Sequence, residues 1–287
     1  TAGFTIGGTI SGLSGAGLVL QNNLGNNLPV SAPGGTFTFS TAIASGSAYS
    51  VTVLTQPGTP TQACTVTSGG SGTVGSANVT TVAINCVTNA FTIRATVSGL
   101  SGAGLVLRNN GGNDLAISTN GVFTFTTPIA SGAAYAVTVA TQPTNPSQTC
   151  TVSNGTGNVA SASVNVAVNC VTNTYTIGVT VSGLSGAGLV LQNNLGNDLP
   201  IPANGTFTFT TPIASGAPFS VTVLTQPNTP TQACTVTNGS ANAGGGNVNV
   251  AVACVTGSFT IGGTITGLSG LGLVLRNNGG NDLPVSA

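Results

Sequence analysis

The sequence predicts an all-β fold, a tandem array of seven-stranded antiparallel β-sandwich domains, and three observations carry that prediction. The chain has no lysine, glutamate or methionine, three of the strong helix formers, while Thr, Val, Ile, Phe and Tyr are plentiful and Gly reaches 43. A long self-similarity runs through the whole chain: Phe4-Thr-Ile returns at Phe91-Thr-Ile, Tyr175-Thr-Ile and Phe259-Thr-Ile, at separations of 87, 84 and 84 residues. Within each copy, apolar residues alternate with polar ones in short runs divided by turn formers, which is the period of a half-buried strand.

The repeats divide the chain into units of 1–87, 88–171 and 172–255, with a partial fourth at 256–287. The first is longer by one residue near Pro33-Gly34-Gly35 and by two between its cysteines, and both insertions fall in Gly-rich stretches expected to be loops. At about 84 residues a unit can bury its own core, unlike short solenoid repeats that need neighbours. In the second unit the strands follow in order as Phe91 to Val97, Leu105 and Leu107, Leu115 and Ile117, Phe123 and Phe125, Tyr135 to Val139, Cys150 and Val152, and Val164 to Cys170. Between them stand Ser101-Gly102, Asn110-Gly111-Gly112-Asn113, Asn120-Gly121, Ser131-Gly132 and Asn154-Gly155, all turn formers at hairpin spacing. Seven short strands with one apolar face each make a two-sheet sandwich.

The stretches Gly104–Asn110 (GLVLRNN) and Ser118–Val139 (STNGVFTFTTPIASGAAYAVTV) resemble the bacterial surface modules related to carboxypeptidase regulatory-like, prealbumin-type and immunoglobulin-like sandwiches. The resemblance covers every unit, and it implies a stalk, spacer or adhesive repeat of an exported protein. Some relatives lock the sandwich with a Lys–Asn isopeptide bond; this chain has no lysine, and its cysteines look like the substitute.

Six cysteines form three candidate pairs, Cys64/Cys86, Cys150/Cys170 and Cys234/Cys254, one per complete unit and each in phase with the apolar face of its strand. The competing readings are reduced core thiols or a zinc site, and zinc is disfavoured by the absence of histidine and of short ligand spacing. Closing a loop of roughly 20 residues stabilises a unit by about 3 kcal/mol, and disulfides imply an oxidising, extracellular or cell-surface location.

Other chemistry finds little to work with. Three arginines, three aspartates and no histidine leave no nucleophile–base trio, so no catalytic residue is named, no enzyme activity is expected, and no cofactor or metal is assigned. Zero net charge offers nucleic acid no basic patch, and no apolar window is long enough for a transmembrane helix. The opening Thr1-Ala2-Gly3-Phe4 resembles neither a signal peptide nor a translation start, so the chain reads as mature or as an excerpt. A hairpin tip in each repeat, Gln21 to Asn27, Arg108 to Asp114, Gln192 to Asp198 and Arg276 to Asp282, invites a calcium reading. One Asp per loop, absent from the first, falls far short of the oxygens calcium takes, and the tip reads as a turn with cross-strand pairs. Asn78, Asn154, Asn204 and Asn238 lie in Asn-x-Ser/Thr acceptor sequences; three of them are Asn-Gly and read first as turns. Surface aromatic platforms for a glycan are not in view, since Phe37, Phe39, Phe207 and Phe209 take core positions, and Thr rows such as Thr36, Thr38 and Thr52 suit ordinary solvent-face strands.

Only Val87-Thr88-Asn89-Ala90 separates the last cysteine of one unit from the first strand of the next, so neighbouring sandwiches are expected to abut. At ~3.3 Å per strand residue a unit is about 35 Å long and three make a rod of about 100 Å. An uncharged surface loses the repulsion that separates monomers, so self-association into a filament or longer repeat array is the expected partner relationship. The reading is a stiff extracellular stalk or filament; the alternative is an adhesin whose loops bind a glycan or another surface. The fourth unit stops at Asp282-Leu283-Pro284-Val285-Ser286-Ala287 after three of its seven strands, and is expected to be completed by continuation of the chain or by a neighbour.

Overall fold

The computed structural model describes residues 2–286, and its regular elements are all β-strands. The first repeat supplies β1 (Gly3–Phe4), β2 (Ile6–Ser11), β3 (Leu18–Asn22), β4 (Asn26–Val30), β5 (Gly35–Thr38), β6 (Ile43–Ala44), β7 (Ala48–Thr55), β8 (Gln62–Ser68), β9 (Ser71–Thr73) and β10 (Val79–Thr88). Two four-stranded sheets, ordered β5-β2-β10-β8 and β4-β3-β7-β9, face each other, and β1 and β6 form a separate two-residue ladder. The same ten strands in the same order recur as β11–β20 over 90–172 and as β21–β30 over 174–256. Beyond them, β31 (Leu273–Asn277) and β32 (Asn281–Val285) pair only with each other.

Alternation drives this assembly. In β3 the inward Leu18 and Leu20 are fully buried while Val19 and Gln21 between them are only partly covered. In β7, the strand paired with β3, the inward Tyr49 and Val51 do the same, so each strand folds one apolar face into a shared core. Phe39, Ile6 and Ile84 complete the first core, and Phe125, Ile93 and Leu107 sit in its second counterpart.

The seven long runs read from the sequence are the seven long strands; the short β1, β6 and β9 add to them. One pairing departs from the antiparallel pattern. β2 and β10, the first and last long strands, lie side by side and run parallel, with Ala83 opposite Thr9 and Ile84 opposite Ile10. Hairpins return a chain to the end it came from, whereas this parallel pair carries it out at the end opposite its entry.

The two extra residues between the cysteines of the first repeat correct the loop expectation. β8 and β10 are each one residue longer than their second-repeat equivalents, Gln148–Ser153 and Val164–Thr172, and the register shifts between Val79 and Val82 and between Ala83 and Ile84. The insertions are absorbed as bulges, because a bulge takes up one residue without moving the strand ends. A bulge also brings backbones together: a Cβ on Gly8 would lie 1.7 Å from the Val82 carbonyl, whereas the unbulged repeats carry Ala95 and Val179 at that position.

Strand phase and depth set the cost of truncation. Phe125 is 1% exposed while Phe123, two residues earlier, is half-buried at the sheet edge, and Thr124 faces solvent. In urea melts Phe125→Ala is expected to cost its repeat about 3–5 kcal/mol, Phe123→Ala clearly less, and Thr124→Ala under about 0.5 kcal/mol. Equal losses at the two phenylalanines would contradict this core.

Candidate functional site: the exit end and the repeat junction

Three chemically distinct features gather where the chain leaves the first and second repeats. The first is the cysteine pair. Cys64 and Cys86 face each other on β8 and β10, buried, with an S–S distance of 2.05 Å; Cys150–Cys170 and Cys234–Cys254 are bonded at the same place in the next two repeats. Each bond joins neighbouring strands of one sheet on its inward face and closes a separation of 22, 20 and 20 residues. Three buried disulfides belong to an oxidising, extracytoplasmic compartment.

The second feature is a set of glutamines. β8 is a sheet edge, and its outward backbone groups need partners. Gln56 supplies them: its Oε1 accepts from Cys64 N at 2.7 Å and its Nε2 donates to Cys64 O at 3.0 Å. Gln142 and Gln226 do the same for Cys150 and Cys234. Gln62, which opens β8, is 2% exposed and spends its whole carboxamide internally. Its Oε1 accepts from Ser14 N and Gly15 N, and its Nε2 donates to Gly12 O and Thr88 Oγ1. Gln148 and Gln232 repeat that arrangement with Ser101, Gly102, Gly99 and Thr172, and with Ser185, Gly186, Gly183 and Thr256. The carboxamide thereby ties the loop after the first long strand to the end of the last.

The third feature is the contact with the next repeat. Asn89 N donates to Thr61 O at 3.0 Å, and Ser131 N of the second repeat donates to Asn89 O at 2.8 Å. Thr61 N in turn donates to Ser131 Oγ at 3.0 Å, and that hydroxyl donates to Ala160 O. The second junction copies the first, with Asn173 N on Ser147 O, Ser215 N on Asn173 O, Ser147 N on Ser215 Oγ, and Ser215 Oγ on Gly244 O. It adds Asn173 Nδ2 donating to Ser147 Oγ at 2.7 Å and a Ser147 Oγ contact to Tyr175 Oη at 3.0 Å. Ser131 and Ser215 are buried by these contacts, whereas Ser45, at the same place in the first repeat, is exposed.

The sequence marks Ser131-Gly132 only as a turn and does not point to the glutamines, although Thr-Gln-Pro recurs at 55–57, 141–143 and 225–227 and Ser-Gly at 45–46, 131–132 and 215–216. Arg108 and Asp114 form a bidentate pair across β13 (Leu105–Asn109) and β14 (Asn113–Ile117), and Arg276 and Asp282 form its copy. Gln192 donates to Asp198, and Gln21 to Asn27, at the same register. Both oxygens of Asp114 and of Asp282 are held by a guanidinium, and among the described residues no three of His, Cys, Asp and Glu gather as metal ligands. Asn204 accepts from Leu184 N and donates to Leu184 O, so its carboxamide is committed to a turn. Asn154 and Asn238 are exposed with φ of 56° and 57°, the left-handed geometry of turn asparagines, and Asn78 accepts from Thr5 N. No helix among the described residues is long and apolar enough to cross a membrane.

The fold and these junctions define a tandem, disulfide-bonded β-sandwich repeat protein. No protein-family model matches the chain, and no curated protein matches its sequence. Among solved structures it is similar to the TIE protein of Bacillus anthracis, at 14% identity and a TM-score of 0.51, over 88% of this chain and 51% of that one. The chain therefore spans about half the length of that molecule, and the likeness is one of fold. Weaker likenesses reach the major pilin subunit of Bacillus cereus, with 13% identity, a TM-score of 0.31 and coverage of 89% and 95%. A streptococcal ancillary pilin follows at 8% identity and a TM-score of 0.24, with coverage of 88% and 99%.

Two outcomes follow from this site. Gln148→Leu leaves the amides of Ser101 and Gly102 unpartnered inside the fold and is expected to cost about 2–3 kcal/mol in denaturant melts, whereas Ser131→Ala is expected to leave global stability within about 1 kcal/mol while speeding hydrogen exchange at the Thr61 amide. Acid should do little. The guanidinium hydrogen bonds of Arg108 and Arg276 hold Asp114 and Asp282 below the usual carboxylate range. A lowered folded-state pKa gives stability that is present above the unfolded pKa and lost as pH falls through the folded one. Both pairs are exposed and only three carboxylate side chains exist, so the melting temperature is expected to stay flat from about pH 8 to pH 5 and slip slightly below about pH 4. Steep acid unfolding would contradict that.

Proposed function

We propose that this chain is an extracellular structural protein, a stiff stalk or filament of the cell surface built from units 1–87, 88–171 and 172–255, with 256–287 opening a fourth. The observation that carries the reading is the repeated junction: at both boundaries two hydrogen bonds cross between repeats, Asn89 N to Thr61 O and Thr61 N to Ser131 Oγ at the first and Asn173 N to Ser147 O and Ser147 N to Ser215 Oγ at the second, in place of a flexible linker. Entry and exit at opposite ends of a repeat extend the chain, and the six cysteines form three clasps that hold each exit strand to its neighbour, each disulfide worth about 3 kcal/mol. Three arginines and no lysine leave trypsin few sites, which suits exposure outside a cell. Zero net charge favours self-association over recognition of a polyanion, so the expected partner is another copy or a longer array of the same repeats.

Negative-stain microscopy of the purified chain tests this. Ordered filaments, or straight rods of about 100 Å, support the stalk. Flexible beads contradict it, and monodisperse short particles retained by a glycan array would favour an adhesin instead.

A further inference from the structure

The hairpin tip between the two β-strands that follow the first long strand differs between alternate repeats. Repeats two and four turn on Asn110-Gly111 (φ 49° and 75°) and Asn278-Gly279 (φ 48° and 76°), where glycine accepts the left-handed backbone freely. Repeats one and three turn on Asn23-Leu24 (φ 50° and 58°) and Asn194-Leu195 (φ 49° and 60°). A leucine in that region carries steric strain, and nothing within the chain offsets it, since Leu24 and Leu195 are 87% and 88% exposed. Two apolar knobs thus stand at strained, protruding tips where a glycine would fit better.

The same chain holds a groove that suits such a knob. It has a volume of about 490 Å³ and is lined in repeat two by Ala103, Val106, Ala116 and Ile117, with the polar Ser101, Ser118 and Asn145 beside them. Ala116 stands in an edge strand opposite Val106; the equivalent positions are Pro29, Pro200 and Pro284, opposite Val19, Val190 and Val274. Repeat two therefore lacks the ring that the other three place there. An open groove of that size exceeds a leucine side chain in volume, so the tip can lie in it with its flanking backbone. Groove and Leu24 tip are both uncharged, so the contact meets no cost of burying an ion.

We propose that the leucine tip of one copy seats in the repeat-two groove of a second copy. This deepens the filament reading and rests on it. The tip lies at the entry end of its repeat, where Asn23 Nδ2 bonds Ala48 O, and the groove lies at the exit end of repeat two, beside Asn145. Neighbouring copies are then staggered along their length, and because knob and groove occupy different surfaces the contact is heterologous, the kind that builds an open filament when its rotation does not close a ring.

Two variants test the contact in the full chain, each borrowing the residue that other repeats already carry, so that folding is preserved. They are the double change Leu24→Gly with Leu195→Gly, and Ala116→Pro. Sedimentation velocity against concentration is expected to show the unmodified chain associating and each variant needing about ten- to hundred-fold higher concentration, with the thermal melt unchanged for Ala116→Pro and no lower for the leucine double change, which relieves backbone strain. A photoreactive residue in place of Leu24 is expected to capture residues 101–118 of another chain. Variants that associate like the unmodified chain overturn the contact while leaving filament formation standing. An unmodified chain that stays monomeric at every concentration overturns both, and capture confined to the same chain overturns the contact.

Discussion

The parallel pairing of β2 with β10 is the constraint on which the rest of each repeat depends. A sandwich built only from hairpins leaves its termini wherever the strand count puts them. Here the first and last long strands are neighbours running the same way, with the whole intervening chain as their crossover, so entry and exit fall at opposite ends. The exit strand is then held on both sides, by β2 and by β8, and the Cys64–Cys86 bond fastens the second of those pairings on its buried face. Gln56 closes the outer edge of β8, where an unpaired strand would otherwise be open to a foreign one. With its exit strand fixed, a repeat can present Thr61 and Asn89 in one orientation to the Ser131 turn of its successor.

Polar satisfaction is achieved almost without charge. A carboxamide donates and accepts as a peptide group does, and Gln56, Gln62, Asn22 and Asn204 each replace a missing stretch of backbone partner. None of them titrates, and none is screened by salt as an ion pair would be. A chain built this way holds its shape through changes of pH and ionic strength, and it lacks the repulsion that keeps copies apart.

The long strands were legible because alternation is a local property: Leu105 and Leu107, or Tyr135 and Val137, declare their face within a few residues. The parallel pair was not legible, since Ile10 and Ile84 are 74 residues apart and either direction satisfies the same alternation. Bulges hid for a similar reason, the extra residues lying beside glycines that read as a loop. Phe123 was assigned to the correct face, but its depth depends on β15 (Gly121–Thr124) being a sheet edge, which strand order alone decides. The cysteines stood out by residue type. Gln62 and Ser131 did not, because a buried glutamine and a junction serine have the composition of ordinary strand and turn residues, and only the fold reveals that their polar atoms are enclosed.

The central claim is that the repeats are held in one fixed relation by their junctions. Residual dipolar couplings from the backbone amides of the intact, weakly aligned chain address it directly, since each repeat reports its own orientation. A single alignment tensor that fits residues of all three complete repeats is the result this account predicts; three tensors of different magnitude and direction, the mark of modules turning independently, would contradict it.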